Sequence, residues 1–143
     1  MMPSRFTNTA TARIWDLAGL SVTRIVVDPA QVSLFLNSGL VGNADEVDLI
    51  IENSFTIRKT DGTTHAVNPA VAETLAAVLN LRLCPALSLA VGGDGSLTLR
   101  FAEGAELKVS KHDRYEAWHT FGRGSFADAN MLCSAHDGPP WGE

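Results

Sequence analysis

Val22-Thr-Arg-Ile-Val-Val-Asp-Pro-Ala-Gln-Val-Ser-Leu-Phe-Leu-Asn-Ser-Gly39 decides the fold, because its pattern returns 65 residues later in Leu87-Ser-Leu-Ala-Val-Gly-Gly-Asp-Gly-Ser-Leu-Thr-Leu-Arg-Phe-Ala-Glu-Gly104. Laid over each other without a gap, the two blocks share few identities. Their turn residues, apolar positions and closing glycine nevertheless fall in step, as two copies of one supersecondary unit require. In the first block alternating strands flank Asp28-Pro29-Ala30, with proline at the second turn position. In the second they flank Gly92-Gly93-Asp94-Gly95, where glycine accepts the positive backbone angle of a tight turn. Each block reads as a β-hairpin, and the ungapped overlay predicts one register for both.

Outward from the hairpins, Val47 to Glu52 and Ser54 to Arg58 read as two further strands, ended by Asp61-Gly62. Glu106 to Val109 extends the second copy, and Tyr115 to Trp118 is placed as the counterpart of Phe55 to Arg58. Half-repeats of about 20–60 and 83–120 result, each a small meander. Between them Asn68-Pro69 offers a cap with proline at the first helical position. Val71, Leu75, Val78 and Leu79 then make a helical stripe, so one connecting helix is expected over 69–79. Residues 1–10 are polar and small and read as a flexible arm ahead of a single domain, 11–143. Thr11 to Gly19 reads as a helical turn or an edge strand, with Trp15 and Leu17 as its core anchors. The fold class expected is α+β, mostly antiparallel β-sheet from two pseudo-repeated meanders with one helix between them.

A length of 143 residues suits one core. No apolar stretch is long enough to span a membrane, the first ten residues lack a signal peptide's apolar segment, and the cytoplasm is the expected compartment. The formal net charge of -5 disfavours nucleic acid as a partner and favours a basic protein. Cys84 and Cys133 both fall in apolar, strand-like segments; a buried reduced pair is the plain reading, with a disulfide as the alternative in an oxidising compartment.

Trp15-Asp-Leu-Ala-Gly19, Thr60-Asp-Gly-Thr-Thr-His65 before Asn68-Pro69, Asp94-Gly-Ser-Leu-Thr-Leu-Arg-Phe101, Asp113-Arg-Tyr-Glu-Ala-Trp118 and Leu132-Cys133 together carry a resemblance. The chain resembles a group of small actinobacterial domains of unknown function with this YEAW box, from about residue 14 to residue 134. After the cysteine, Ala135-His-Asp-Gly-Pro-Pro-Trp141 departs from that group's glycine-rich ending. The shape and size of these domains are similar to those of immunity proteins of bacterial toxin systems, a likeness that carries only the weight of analogy.

His112, Asp113, Glu116 and His119 are the densest set of metal-ligating or acid–base side chains. On a helix Glu116 and His119 share a face; on a strand they point apart, and a solvated cluster is the plain reading. Cys133 with His136 lacks a third, orienting group, so a core cysteine is favoured over a nucleophile. Gly92 to Gly95 follows one strand and precedes another without a helix N-terminus or a lysine, which makes it a turn rather than a phosphate loop. Tyr115, Trp118 and Trp141 suit either a contact patch or a core cap. Glu116 is favoured as the acceptor of a structural hydrogen bond, from a backbone amide or from Arg58 or Arg100.

The function expected is therefore a small non-enzymatic binding protein of the immunity-like kind, without cofactor or metal. Tyr115, Glu116 and Trp118, with the acids Asp45, Glu46 and Asp48, are its candidate contact residues toward a basic protein partner. Two other classes stand beside it. One is a small-ligand or metal-dependent enzyme using the His112–His119 segment; the other is a module that homodimerises by joining strand edges.

Overall fold

Strict alternation builds the framework. Val32, Leu34 and Leu36 are buried along one strand and Val47, Leu49 and Ile51 along the next, so each strand turns one face to the core. The computed structural model describes residues 5–111 and 117–133. Among them the strands are β1 (Phe6–Asn8), β2 (Ala12–Asp16), β3 (Ser21–Asp28), β4 (Gln31–Asn37), β5 (Glu46–Ile51), β6 (Phe55–Arg58), β7 (Thr64–Val67), β8 (Ala86–Gly92), β9 (Leu97–Phe101), β10 (Glu106–Val109), β11 (Trp118–Arg123) and β12 (Met131–Cys133). A seven-stranded sheet runs β1-β2-β8-β9-β10-β6-β7 and a five-stranded sheet β12-β11-β5-β4-β3, with every pairing antiparallel. Buried side chains of both sheets form one apolar cluster that includes Trp15, Leu17, Leu34, Phe101, Trp118 and Phe126. The fold is α+β, dominated by antiparallel sheet, with the single short helix α1 (Ala76–Leu79) among the described residues.

The two meanders, β3-β4-β5 and β8-β9-β10, occupy separate sheets, and each half hands its next two strands to the other. β6 leaves the first meander to pair with β10, carrying β7 with it, while β11 leaves the second to pair with β5, carrying β12. The internal repeat is therefore an exchange of strands between halves. Phe55 faces the end of β10 and Trp118 the end of β5, so Trp118 to Phe121 is the counterpart of Phe55 to Arg58. This corrects the placement of Tyr115 to Trp118 in that role; residues 112–116, with Tyr115 and Glu116, lie outside the described residues.

The hairpin registers also differ by one residue from the ungapped overlay. Asp28 pairs with Gln31 across Pro29-Ala30, whereas Gly92 donates to the carbonyl of Ser96 across the three residues Gly93-Asp94-Gly95. The longer turn shifts the leading strand, and a one-residue shift exchanges its faces. Leu89, aligned with exposed Arg24, is consequently buried, while a bulge between Ala86 and Ser88 turns Leu87 outward and gives Ala86 the inner position opposite Phe101.

Three local expectations change. Residues 6–8 are a strand instead of an arm: Phe6 packs against Trp15 with ring centroids 5.0 Å apart, and Arg5 donates to the carbonyls of Asp16 and Ala18. That pairing makes β2 an interior strand rather than an edge, with Trp15 and Leu17 buried as expected. The helix over 69–79 shrinks to a 3-10 turn at Ala72–Thr74 and the one turn of α1. Its start is claimed by side chains: Asn68 Oδ1 accepts from the amide of Ala70, and the Thr74 hydroxyl binds the backbone of both Asn68 and Val71. Val78 and Ala77 are buried, but Val71 and Leu79 are exposed. Cys84 lies between α1 and β8, half-buried, rather than in a strand.

Candidate functional site

On β5, Val47 and Leu49 point into the core, so Glu46 and Asp48 share the outer face of the five-stranded sheet. Register then sets their neighbours. Asp48 lies between Phe35 on β4 and Phe121 on β11, with Arg24 on β3 beyond Phe35; Glu46 lies between Asn37 and Arg123. The Arg24 guanidinium sits over the Phe35 ring, 4.9 Å from its centroid, and His119 meets Phe121 edge-on at 5.2 Å.

The three acids singled out in the sequence do different work. Asp45 Oδ1 accepts from the amide of Ser125 at 2.9 Å and so caps the 3-10 turn Gly124–Phe126. Glu46 accepts from Asn37 Nδ2 at 3.0 Å and from Arg123 Nη1 at 2.9 Å. Asp48, only 5% exposed, accepts from Arg123 Nη2 at 3.2 Å through Oδ2, while its Oδ1 has no partner among the described residues. These acids form no open negative surface, because one arginine bridges two of them and the third is a cap. Trp118 is fully buried, so it belongs to the core and not to a contact patch.

Burial pushes the Asp48 carboxyl up to about 7, reinforced by hydrogen bonding and repulsion from Glu46 and opposed by Arg123 and Arg24. The Glu46 carboxyl is held low by its hydrogen bond with Asp48, against its own desolvation, with Asn37 and Arg123 assisting. Below about pH 7 the pair shares a proton held chiefly by Asp48, and above it both carboxyls ionise. Because the folded-state carboxyl of Asp48 titrates above its unfolded value of about 4, its contribution to stability is full below that pH and is lost as pH rises through about 7. Asp48→Asn, neutral throughout, is expected to be more stable than the parent at pH 8 and to lose most of that advantage at pH 5. Chemical denaturation at the two pH values checks this, and an advantage independent of pH would contradict it.

At the end of the sheet nearest Glu46, the β4–β5 loop presents Leu40 at 70% exposure and a fully exposed Val41; Phe121 is 48% exposed. The sequence reading missed Phe35, Phe121, Arg24 and Arg123, although period-two alternation of Glu46-Val47-Asp48 already puts the acids on one outward face.

Elsewhere, a cavity of about 360 Å³ lies between α1 and the seven-stranded sheet, lined in part by Ile57, Lys59, Leu81, Cys84 and Glu103. The Cys84 sulfur donates to the carbonyl of Asn80, and burial, with Glu103 adding to it, pushes its thiol up, which disfavours the nucleophilic thiolate. His119 Nδ1 stands 3.8 Å from Glu52 Oε2. His112, Asp113 and Glu116, the rest of the proposed ligand set, lie outside the described residues, as does His136. No group of three or more metal-ligating side chains occurs among the described residues, and none of their helices is long and apolar enough to cross a membrane.

Strand exchange and two antiparallel sheets over one core define a β-rich α+β domain, whose five-stranded sheet carries a largely buried acid pair on its outer face. The chain belongs to a family of unknown function, DUF6188, whose model matches residues 14–137. No curated protein and no solved structure shows a significant match to it.

Proposed function

We propose that this chain is a non-enzymatic protein-binding domain that meets its partner through the outer face of the five-stranded sheet and the β4–β5 loop. The observation that carries this reading is a juxtaposition: exposed Phe121 lies beside Asp48 across the β5–β11 pair, and the loop that carries exposed Leu40 and Val41 leads into Glu46, which Arg123 bridges to Asp48. Large apolar side chains around a desolvated charged group are the composition of a binding hot spot, whereas an isolated exposed apolar residue needs no explanation. The immunity-like reading fits a domain that acts by covering a partner with a preformed sheet face. It is the analogy of size and shape given above, now attached to a surface. The acids Asp45, Glu46 and Asp48 enter it differently from a simple acidic patch. With their charge compensated internally, steering of a basic partner is weak, and contact quality governs how long the complex lasts.

Copurification from the native host tests the proposal. The parent is expected to retain a stoichiometric partner, while Phe121→Ser and the double change Leu40→Ser with Val41→Ser lose it through faster dissociation. Equal recovery with parent and variants would move the contact surface elsewhere. A doubled mass in solution, abolished by Phe121→Ser, would make the partner a second copy of the chain.

A further inference from the structure

The exchanged halves supply an internal comparison for Asp48. In the five-stranded sheet the row across neighbouring strands reads Phe35, Asp48, Phe121; at the corresponding place in the seven-stranded sheet it reads Arg100, Glu106, Arg58. Both rows centre a carboxylate on the middle strand, facing outward. Glu106 is served by both flanking guanidinium groups, Arg100 Nε at 3.2 Å and Arg58 Nη2 at 3.6 Å. Asp48 has phenyl rings in those two positions and receives one guanidinium, that of Arg123, from the adjacent row. Its second oxygen is buried without a partner among the described residues. Once the proton shared with Glu46 is lost, a desolvated carboxylate oxygen is left unserved, which is costly in a folded protein. Beside it across the β5–β11 pair stands Phe121, which is itself nearly half exposed.

We propose, building on the protein-binding reading, that Asp48 is the receptor for an arginine side chain of the partner, which enters beside Phe121 and fills the place that Arg58 and Arg100 fill on Glu106. Arginine is specified over lysine because a planar guanidinium can stack on a phenyl ring while it donates to a carboxylate. The chain already shows half of that arrangement, with Arg24 over Phe35. The charged and titratable groups around the site are Glu46 on β5, Arg123 and His119 on β11, and Arg24 on β3; β4 contributes Phe35 and Asn37.

Hexa-arginine and hexa-lysine peptides are the probes, titrated at pH 8 into isotope-labelled parent, Asp48→Asn, Phe121→Ala and Glu106→Gln proteins. Each variant is first shown to unfold cooperatively. Hexa-arginine is expected to shift the backbone amides of Phe35, Asp48 and Phe121. Its affinity is expected to fall about tenfold in Asp48→Asn, as loss of one charge-assisted contact implies, to fall in Phe121→Ala, and to hold in Glu106→Gln. Hexa-lysine is expected to bind more weakly to the parent. Equal affinity for parent and Asp48→Asn, shifts confined to other surfaces, or an equal loss in Glu106→Gln overturns the proposal. If the peptide ignores Asp48 while Phe121→Ser still abolishes copurification, the arginine receptor falls and the protein-binding reading stands. If the peptide selects Asp48 while Phe121→Ser retains the native partner, the reverse holds.

Discussion

Trp118→Ala is expected to remove about 3–5 kcal/mol of stability, a large part of the 5–15 kcal/mol typical of a whole domain. The indole is fully buried, and it spans the two sheets: its strand β11 belongs to the five-stranded sheet, while Nε1 donates at 2.9 Å to the carbonyl of Gly95, in the β8–β9 turn of the seven-stranded one. Truncation removes the ring's packing, leaves a cavity and deletes that hydrogen bond, worth about 1 kcal/mol by itself. Phe121→Ala, three residues along the same strand, is the control. Its ring is half exposed on the outer face, so a loss below about 1 kcal/mol is expected. Urea denaturation of both variants decides the matter. A small effect at Trp118, or a large one at Phe121, would reverse the division between core and contact surface.

What could be read from the residues follows the range of the interactions that set each feature. Alternation of Val32, Leu34 and Leu36, the Asp-Gly turn at Asp94-Gly95 and the apolar pair Trp15 and Leu17 are local signals, and the strands and core they imply are present. The register of the second hairpin was misread because three turn residues stand where two stand in the first, and apolar residues at both Ala86 and Leu87 allow either face to be chosen. The long helix was misread because a helical stripe says nothing of the Thr74 hydroxyl competing for the backbone of Asn68 and Val71.

The candidate site was harder still. Asp48 meets Phe121 through the β5–β11 pairing, two strands far apart in the chain that come together only because the halves exchange β6 and β11. A sequence read half by half assigns β11 to its own meander. It thereby gives Asp48 the surroundings of a surface acid instead of those of a carboxylate between two phenyl rings. The acid cluster was visible; what neutralises and buries it was not.

The same exchange leads to the other large effect, obtained by cutting the chain between Arg82 and Leu83, which are both exposed. Fragment 1–82 holds β1–β7, yet β6 and β7 need β10 and the β1–β2 pair needs β8. Fragment 83–143 holds β8–β12, yet β11 and β12 need β5. Each fragment is left with one three-stranded meander whose apolar face is uncovered and with two-stranded pieces too small to persist in water. Neither is expected to give a cooperative unfolding transition alone. Mixed in equal amounts, they are expected to form a one-to-one complex with the parent's circular dichroism spectrum and a cooperative transition that rises with concentration, as a bimolecular folded state requires. A cooperative transition in fragment 1–82 alone would show that its strands can pair without the other half, and strand exchange would then be a feature of the fold without being a condition of folding. Failure of the mixture to associate would place the decisive contribution in the continuous segment around Leu81 to Ala86, where the Leu83 amide donates to the carbonyl of Val22 and the Ala86 amide to that of Leu20.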